Sequence, residues 1–212
     1  DITAPYPGIS SVDVTTDGVS DLLDSHWMIG GTGGSISTVV IELAGFANQN
    51  EFGIYDAANP ANFVRIFDGA ATTGSQASIS ILADGSIKVN FIDTGVDFAA
   101  GNRFGYYLDS SANSGGGLWY SDTSLNSDGG DHMAAYQGEG DMIQVQPYAA
   151  GPWLADEYAL AFEDLDFAAS DQDFTDFVVL VESVSPVPDG GMTLTLLGGA
   201  MLGLIAARRR KV

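Results

Sequence analysis

The chain concentrates its chemistry just before its last third of apolar runs ends. Glu163, Asp164, Asp166, Asp171, Asp173 and Asp176 fall within 14 residues, between Phe162 and Phe177. Carboxylates this dense repel one another unless a cation or a proton stands among them. Asp is short and oxygen-rich, and it suits the compact cages that hold Ca²⁺. Asp171, Asp173 and Asp176 alternate as loop ligands to a hard cation do, and Glu163 or Asp164 is placed to close the cage. The spacing is not that of an EF-hand, which needs a Gly at the sixth position and a Glu at the twelfth. Phe162, Leu165, Phe167, Phe174 and Phe177 interleave with the acids and predict a loop tethered to the core, whereas the bland alternative is a solvated acidic loop. The expected cofactor is Ca²⁺.

A second candidate set of ligands lies at Asn126, Asp128 and Asp131, where Gly129-Gly130 permits a sharp turn. The alternative there is an Asx-turn loop capping a hairpin. His26 and His132, far apart in the chain, read as packing or hydrogen-bonding residues rather than metal ligands. With no cysteine, disulfides, thiolate catalysis and Cys-based zinc sites are excluded. There is no Gly-x-Ser-x-Gly, His-Glu-x-x-His or Gly-x-x-x-x-Gly-Lys sequence, so no catalytic residue is assigned and a non-enzyme is expected.

Charge narrows the partners. Of 28 acids, 27 precede Asp189, against Arg65, Lys88 and Arg103 alone, a net of 3 − 27 = −24. Such a surface repels nucleic acid and attracts cations. The remaining bases form Arg208-Arg209-Arg210-Lys211, directly after the uncharged stretch Met192–Ala207. Its 16 residues would make a short transmembrane helix of about 24 Å with snorkelling arginines, leaving the basic end cytoplasmic and the rest outside. The chain starts at Asp1 rather than Met, which fits a signal peptide already removed.

The elements that must position the acids are strands. Ser35–Leu43 is a β-branched run, and Ala77–Ile92 reads as a hairpin about Ala83-Asp84-Gly85-Ser86, with Ile87, Val89 and Phe91 alternating against Lys88 and Asn90. Further strands are expected at Phe52–Asp56, Phe63–Phe67, Arg103–Leu108, Gly117–Tyr120, Met142–Gln146, Glu157–Glu163 and Phe177–Ser183. Many short strands with Gly-, Asn- and Ser-rich turns predict an all-β fold, a β-sandwich or jelly-roll-like domain, followed by the short C-terminal transmembrane helix. The expected organisation is an irregular segment at 1–34, the sandwich at 35–184, a linker and Val-Pro-Asp-Gly-Gly motif at 185–191, the helix at 192–207 and a basic tail at 208–212.

The order Val187-Pro188-Asp189-Gly190-Gly191, apolar stretch and Arg run resembles the C-terminal sorting signals read by exosortases in Gram-negative bacteria, in the Val-Pro-Asp-Ser-Gly variant of the Pro-Glu-Pro type, with Gly190 in the place of Ser. The resemblance implies export, transient anchoring, an exosortase-type processing enzyme as partner and release to the surface or matrix. Phe162-Glu163-Asp164-Leu165 and Asp171-Gln172-Asp173-Phe174-Thr175-Asp176 leading into Val178-Val179 resemble the signature of an uncharacterised β-rich domain family of bacterial surface proteins. Gly45-Phe46 to Asp56, Phe104 to Leu108 and Trp119 to His132 extend that likeness over Val39–Val181. Calcium binding is the property it most often implies. Two functions are therefore expected. One is a structural surface or extracellular-matrix protein, calcium-binding and associating with like subunits or matrix polysaccharide. The other is a calcium-dependent carbohydrate-binding, lectin-like module with Trp119, Tyr120, Tyr136, Tyr148 and Trp153 as a stacking platform.

Overall fold

The computed structural model describes residues 15–30, 34–42 (backbone only), 49–145 and 147–188, and absences stated below refer to these. Fifteen strands occur: β1 Trp27–Ile29, β2 Gly34–Glu42, β3 Glu51–Asp56, β4 Asn59–Phe67, β5 Gln76–Ile81, β6 Ser86–Val89, β7 Ile92–Asp97, β8 Arg103–Asp109, β9 Leu118–Tyr120, β10 Met133–Gln137, β11 Asp141–Ile143, β12 Gly151–Trp153, β13 Glu157–Phe162, β14 Phe177–Glu182 and β15 Val184–Pro186. One sheet runs β15-β1-β8-β3-β4, with β9 also on β8. The other runs β10-β13-β14-β2-β5-β6-β7, and β11-β12 is a separate ribbon. No described segment is an α-helix.

The two sheets pack face to face because their inward positions alternate correctly. Ile54, Phe104, Tyr106 and Leu108 on one sheet share a single buried core with Ile79, Ile87, Leu160, Val179 and Val181 on the other. Phe52 stacks on Phe177 at 5.3 Å and meets Phe162 edge-on at 6.0 Å, joining the sheets at the end where the acidic loop leaves. The chain is therefore a β-sandwich, as its pattern predicts. A smaller cluster of Ile143, Val145, Trp153, Ala159 and Leu180 covers the opposite side of β13–β14 with the β11-β12 ribbon. Two strand glycines have a common explanation. Gly53 lies opposite Tyr107 and Gly105 opposite Tyr55, and a Cβ at either glycine would come within 2.7 and 2.2 Å of the facing ring. Each glycine thus lets a cross-strand tyrosine lie flat on the outer face.

Three expectations are corrected. The hairpin β5-β6 turns where Asp-Gly requires, but β6 stops at Val89. Asn90 and Phe91 have φ of 51° and 65° and form a second tight turn into β7. Phe91 is consequently 86% exposed at a turn tip instead of on the buried face. Within the segment 1–34 expected to be irregular, the described residues include regular pairing: β1 is inserted between β15 and β8, and Asp17–Val19 pair with β10 through Val19 N–H to Ala135 O and Gln137 N–H to Asp17 O. Finally, Val184–Pro186 is a strand, not a linker. Among the described residues no helix is long and apolar enough to cross a membrane, and the expected span Met192–Ala207 and basic tail lie outside them, as do Gly45-Phe46 and Asp189–Gly191.

Candidate metal centre

The acidic loop joins two adjacent antiparallel strands whose last and first residues, Phe162 and Phe177, lie opposite each other in the core. Glu163 and Asp164 therefore leave β13 while still inside the protein, and both are buried. Backbone contacts fix them there. Glu163 N–H donates to His132 O at 3.0 Å, and Asp164 O accepts from Ser110 Oγ and from Trp119 Nε1 at 3.0 Å.

Glu163, Asp171 and Asp173 bring one carboxylate oxygen each within 4.8 Å of the others. Glu163 is fully buried. Its Oε1 accepts from Phe174 N–H at 2.5 Å, whereas its Oε2 is buried with no hydrogen-bond partner. Asp171 and Asp173 are exposed, and none of the three has an ion-pair partner among the described residues. Gln172 and Phe174 adopt left-handed backbone, φ 57° and 53°, which folds the loop over Glu163. Asp173 Oδ1 accepts from Thr175 N–H at 3.0 Å and Thr175 Oγ1 at 2.6 Å. A buried carboxylate facing two more, with one of its oxygens left without a donor, is an arrangement a hard cation relieves.

The other expected ligands of this loop stand aside from that trio. Asp164 Oδ2 accepts from Asn50 Nδ2 at 3.1 Å, and Asp176 Oδ2 accepts from Asp164 N–H at 3.2 Å. Burial, then the neighbouring charges of Asp164 and Glu163, push the Asp176 carboxyl up.

The second expected set is not a cage. Asn126 is buried and spent on its own loop: Oδ1 accepts from Tyr120 N–H at 2.7 Å, and Nδ2 donates to Tyr120 O at 3.1 Å and Gly130 O at 2.9 Å. Asp128 Oδ1 accepts from Gly130 N–H, and its Oδ2 meets Phe167 N–H and His132 Nε2, all at 2.9 Å. Burial opposes the charge of Asp128, but these donors outweigh it and bring its pKa down to about 2. Asp131 instead interacts with a different pair of acids. Burial raises it, as does Asp21, while Asp24 is pushed up to about 8 by burial, then by Asp131 and Asp21. Asp24 is 2% exposed and its Oδ2 has no hydrogen-bond partner, so at neutral pH it keeps its proton.

Both histidines are hydrogen-bonding residues. His132 is fully buried, stacks on Trp119 at 3.8 Å and uses both ring nitrogens, on Asp128 and on Glu163 O at 3.3 Å. His26 contacts Arg103 Nη2 at 3.1 Å and Asp122 at 3.9 Å. The aromatic platform does not form, because Trp119 and Trp153 are buried and only Tyr148 of the five is exposed. Sequence reasoning passed over Asn50, Ser110 and Asp24. Each acts across a long stretch of chain, and nothing local in the sequence distinguishes it from an ordinary loop residue.

Against known proteins, residues 186–211 match the VPDSG-CTERM motif and residues 95–184 match a domain of unknown function (DUF4114). No curated protein and no solved structure matches the chain. The C-terminal match marks proteins that are exported, anchored transiently in the membrane, processed by an exosortase-type enzyme and sorted to the cell surface.

Proposed function

We propose that the exported sandwich is a non-catalytic building block of the cell surface or extracellular matrix, stabilised by Ca²⁺ held at Glu163, Asp171 and Asp173. The observation that carries this reading is Glu163: a fully buried carboxylate with one oxygen unpartnered, facing two aspartates. Such a group costs several kcal/mol if left charged and alone. Protein carboxylates supply part of the oxygen shell, and water and backbone complete it. A non-catalytic role is supported by His132, which is buried with both nitrogens engaged and cannot serve as an accessible base.

Association with like subunits or matrix polysaccharide follows from the charge. Copies carrying −24 repel in low salt, and divalent ions bridge facing carboxylates where monovalent ions only screen. Strand addition is a second route, open at β7, an edge strand beginning at Ile92 (72% exposed) beside Phe91. Pro60 and Pro186 blunt the two edges of the other sheet. Titration calorimetry with CaCl₂ on the released protein and on Glu163→Gln tests the site, with binding to the first and none to the second expected. Equal binding by both overturns it. Light scattering in CaCl₂ against NaCl of matched ionic strength tests association: growth in calcium alone supports bridging, growth in both salts supports strand addition, and a monomer in both counts against a building block.

A further inference from the structure

The sorting motif and the folded domain overlap. The VPDSG-CTERM match begins at residue 186, and Pro186 is the last residue of β15, an edge strand paired antiparallel with β1 in the register Trp27↔Pro186, Met28↔Ser185 and Ile29↔Val184. The pairing continues past the strand on both sides. Val187 N–H donates to His26 O at 2.8 Å, and Gly30 N–H donates to Ser183 O at 2.7 Å. Bonded pairs alternate along an antiparallel ladder, so Pro186, opposite Trp27, falls between them, and its missing N–H would have pointed to the open edge. Val184 is 1% exposed in the core, and its N–H donates to Asp156 O at 3.2 Å. The strand it grips is equally fixed: Trp27 is fully buried against Tyr106 and Tyr158, with Nε1 on Asp24 O at 2.7 Å. Exposure begins at Pro188.

We infer that β15 stays paired with β1 while the exosortase-type enzyme acts, so that the fold itself limits processing to bonds C-terminal to Pro188. Enzymes that act on peptides take them as extended segments through main-chain hydrogen bonds. The N–H of Val187 is already committed to His26, and the residues before it are committed to β1. Only Pro188–Gly191 separate that last backbone bond from the apolar stretch at Met192, at most about 14 Å of extended chain. The enzyme is offered no more than those few residues, and the released domain keeps its terminal edge strand. Retention matters to the product, because losing β15 would uncover Val184 and leave β1 as a free edge.

Two measurements on the full chain in its exporting cell decide this. The mass of the released wild-type protein is expected to place its C-terminus at Pro188 or beyond; a C-terminus at Val187 or earlier overturns the inference. The chain has no cysteine, so Met28→Cys with Ser185→Cys adds a single disulfide across directly opposite positions, whose spacing of about 5.5 Å in a bonded pair suits one. Release of this stapled protein is expected within about twofold of either single-cysteine control. A drop of tenfold or more shows that β15 must peel away and overturns the inference. The wild-type mass stands as a test even if the staple impairs folding.

Discussion

Two loops of this sandwich are built from the same residues and reach opposite electrostatic states. In the loop containing Asn126 and Asp128, every carboxylate or amide oxygen of those two residues meets a donor from the protein itself. The acids next to it, Asp131, Asp24 and Asp21, are relieved by a proton kept on Asp24. In the loop at 163–176, Glu163 is fully buried, but its Oε2 finds no donor and carboxylate oxygens of Asp171 and Asp173 lie within 4.8 Å of it. Acid content therefore does not distinguish a metal site from a self-satisfied turn. What distinguishes them is whether the backbone N–H groups and amides of the fold already balance the charge.

The largest expected effect tests the proton side of this comparison. The Asp24 carboxyl holds its proton in the folded protein up to about pH 8, against an ordinary value of 3.8. Its contribution to stability is therefore fully present below about pH 4, declines as pH rises and is lost above pH 8. At 1.36 kcal/mol per unit this is on the order of 5–6 kcal/mol over the whole window. Asp176, raised in the same direction, adds to the trend. Chemical denaturation of the chelated protein should show stability falling from pH 5 to pH 8, and Asp24→Asn should remove most of that slope. A slope unchanged by the substitution would show that Asp24 is not the proton holder.

The comparison also marks what the sequence discloses. The all-β architecture was legible because the alternation of Gln76–Ile81 matches the strand period directly and Phe177–Val181 is a short, continuous, β-branched apolar run bounded by turn residues. Glu163, Asp171 and Asp173 were legible as a group because they sit on one loop between two such runs. Asp164 and Asp176 fall outside that trio, Asp164 accepting from Asn50, more than a hundred residues away, and Asp176 from the Asp164 N–H. Asn126 looked like a ligand because its type and spacing are those of one, and only its closure onto Tyr120 and Gly130 shows otherwise. Phe91 fitted the alternation of its strand, yet a two-residue turn overrode that pattern. The strand Val184–Pro186 was hidden by its proline and by the motif that follows.

The cation side is tested by a pair of substitutions expected to behave in opposite ways. Calcium at 100 times its Kd should stabilise the wild type by about 2.7 kcal/mol, and a chelator should reverse this. Glu163→Gln should abolish the response while leaving the chelated protein no less stable than the wild type, because it removes an uncompensated buried charge. Asn126→Ala should cost about 2–3 kcal/mol through three lost hydrogen bonds, with the calcium increment intact. Melting curves of the three proteins with and without CaCl₂ make the comparison. If Asn126→Ala lost the increment and Glu163→Gln kept it, the assignment of the two loops would be inverted.

The smallest effect separates the exposed ligands from the buried one. Asp171 is exposed and has no hydrogen bond to maintain, so Asp171→Asn should change the stability of the chelated protein by no more than about 0.5 kcal/mol. Asp173→Asn should behave similarly, since an amide oxygen can still accept from Thr175 N–H. Each nevertheless removes a negative charge and a hard oxygen from the cation's shell, which should raise the Kd for calcium about tenfold, or about 1.4 kcal/mol. Calorimetric titration of the two variants beside the wild type reads this directly. An unchanged Kd in both would mean that the cation does not bind between Asp171 and Asp173.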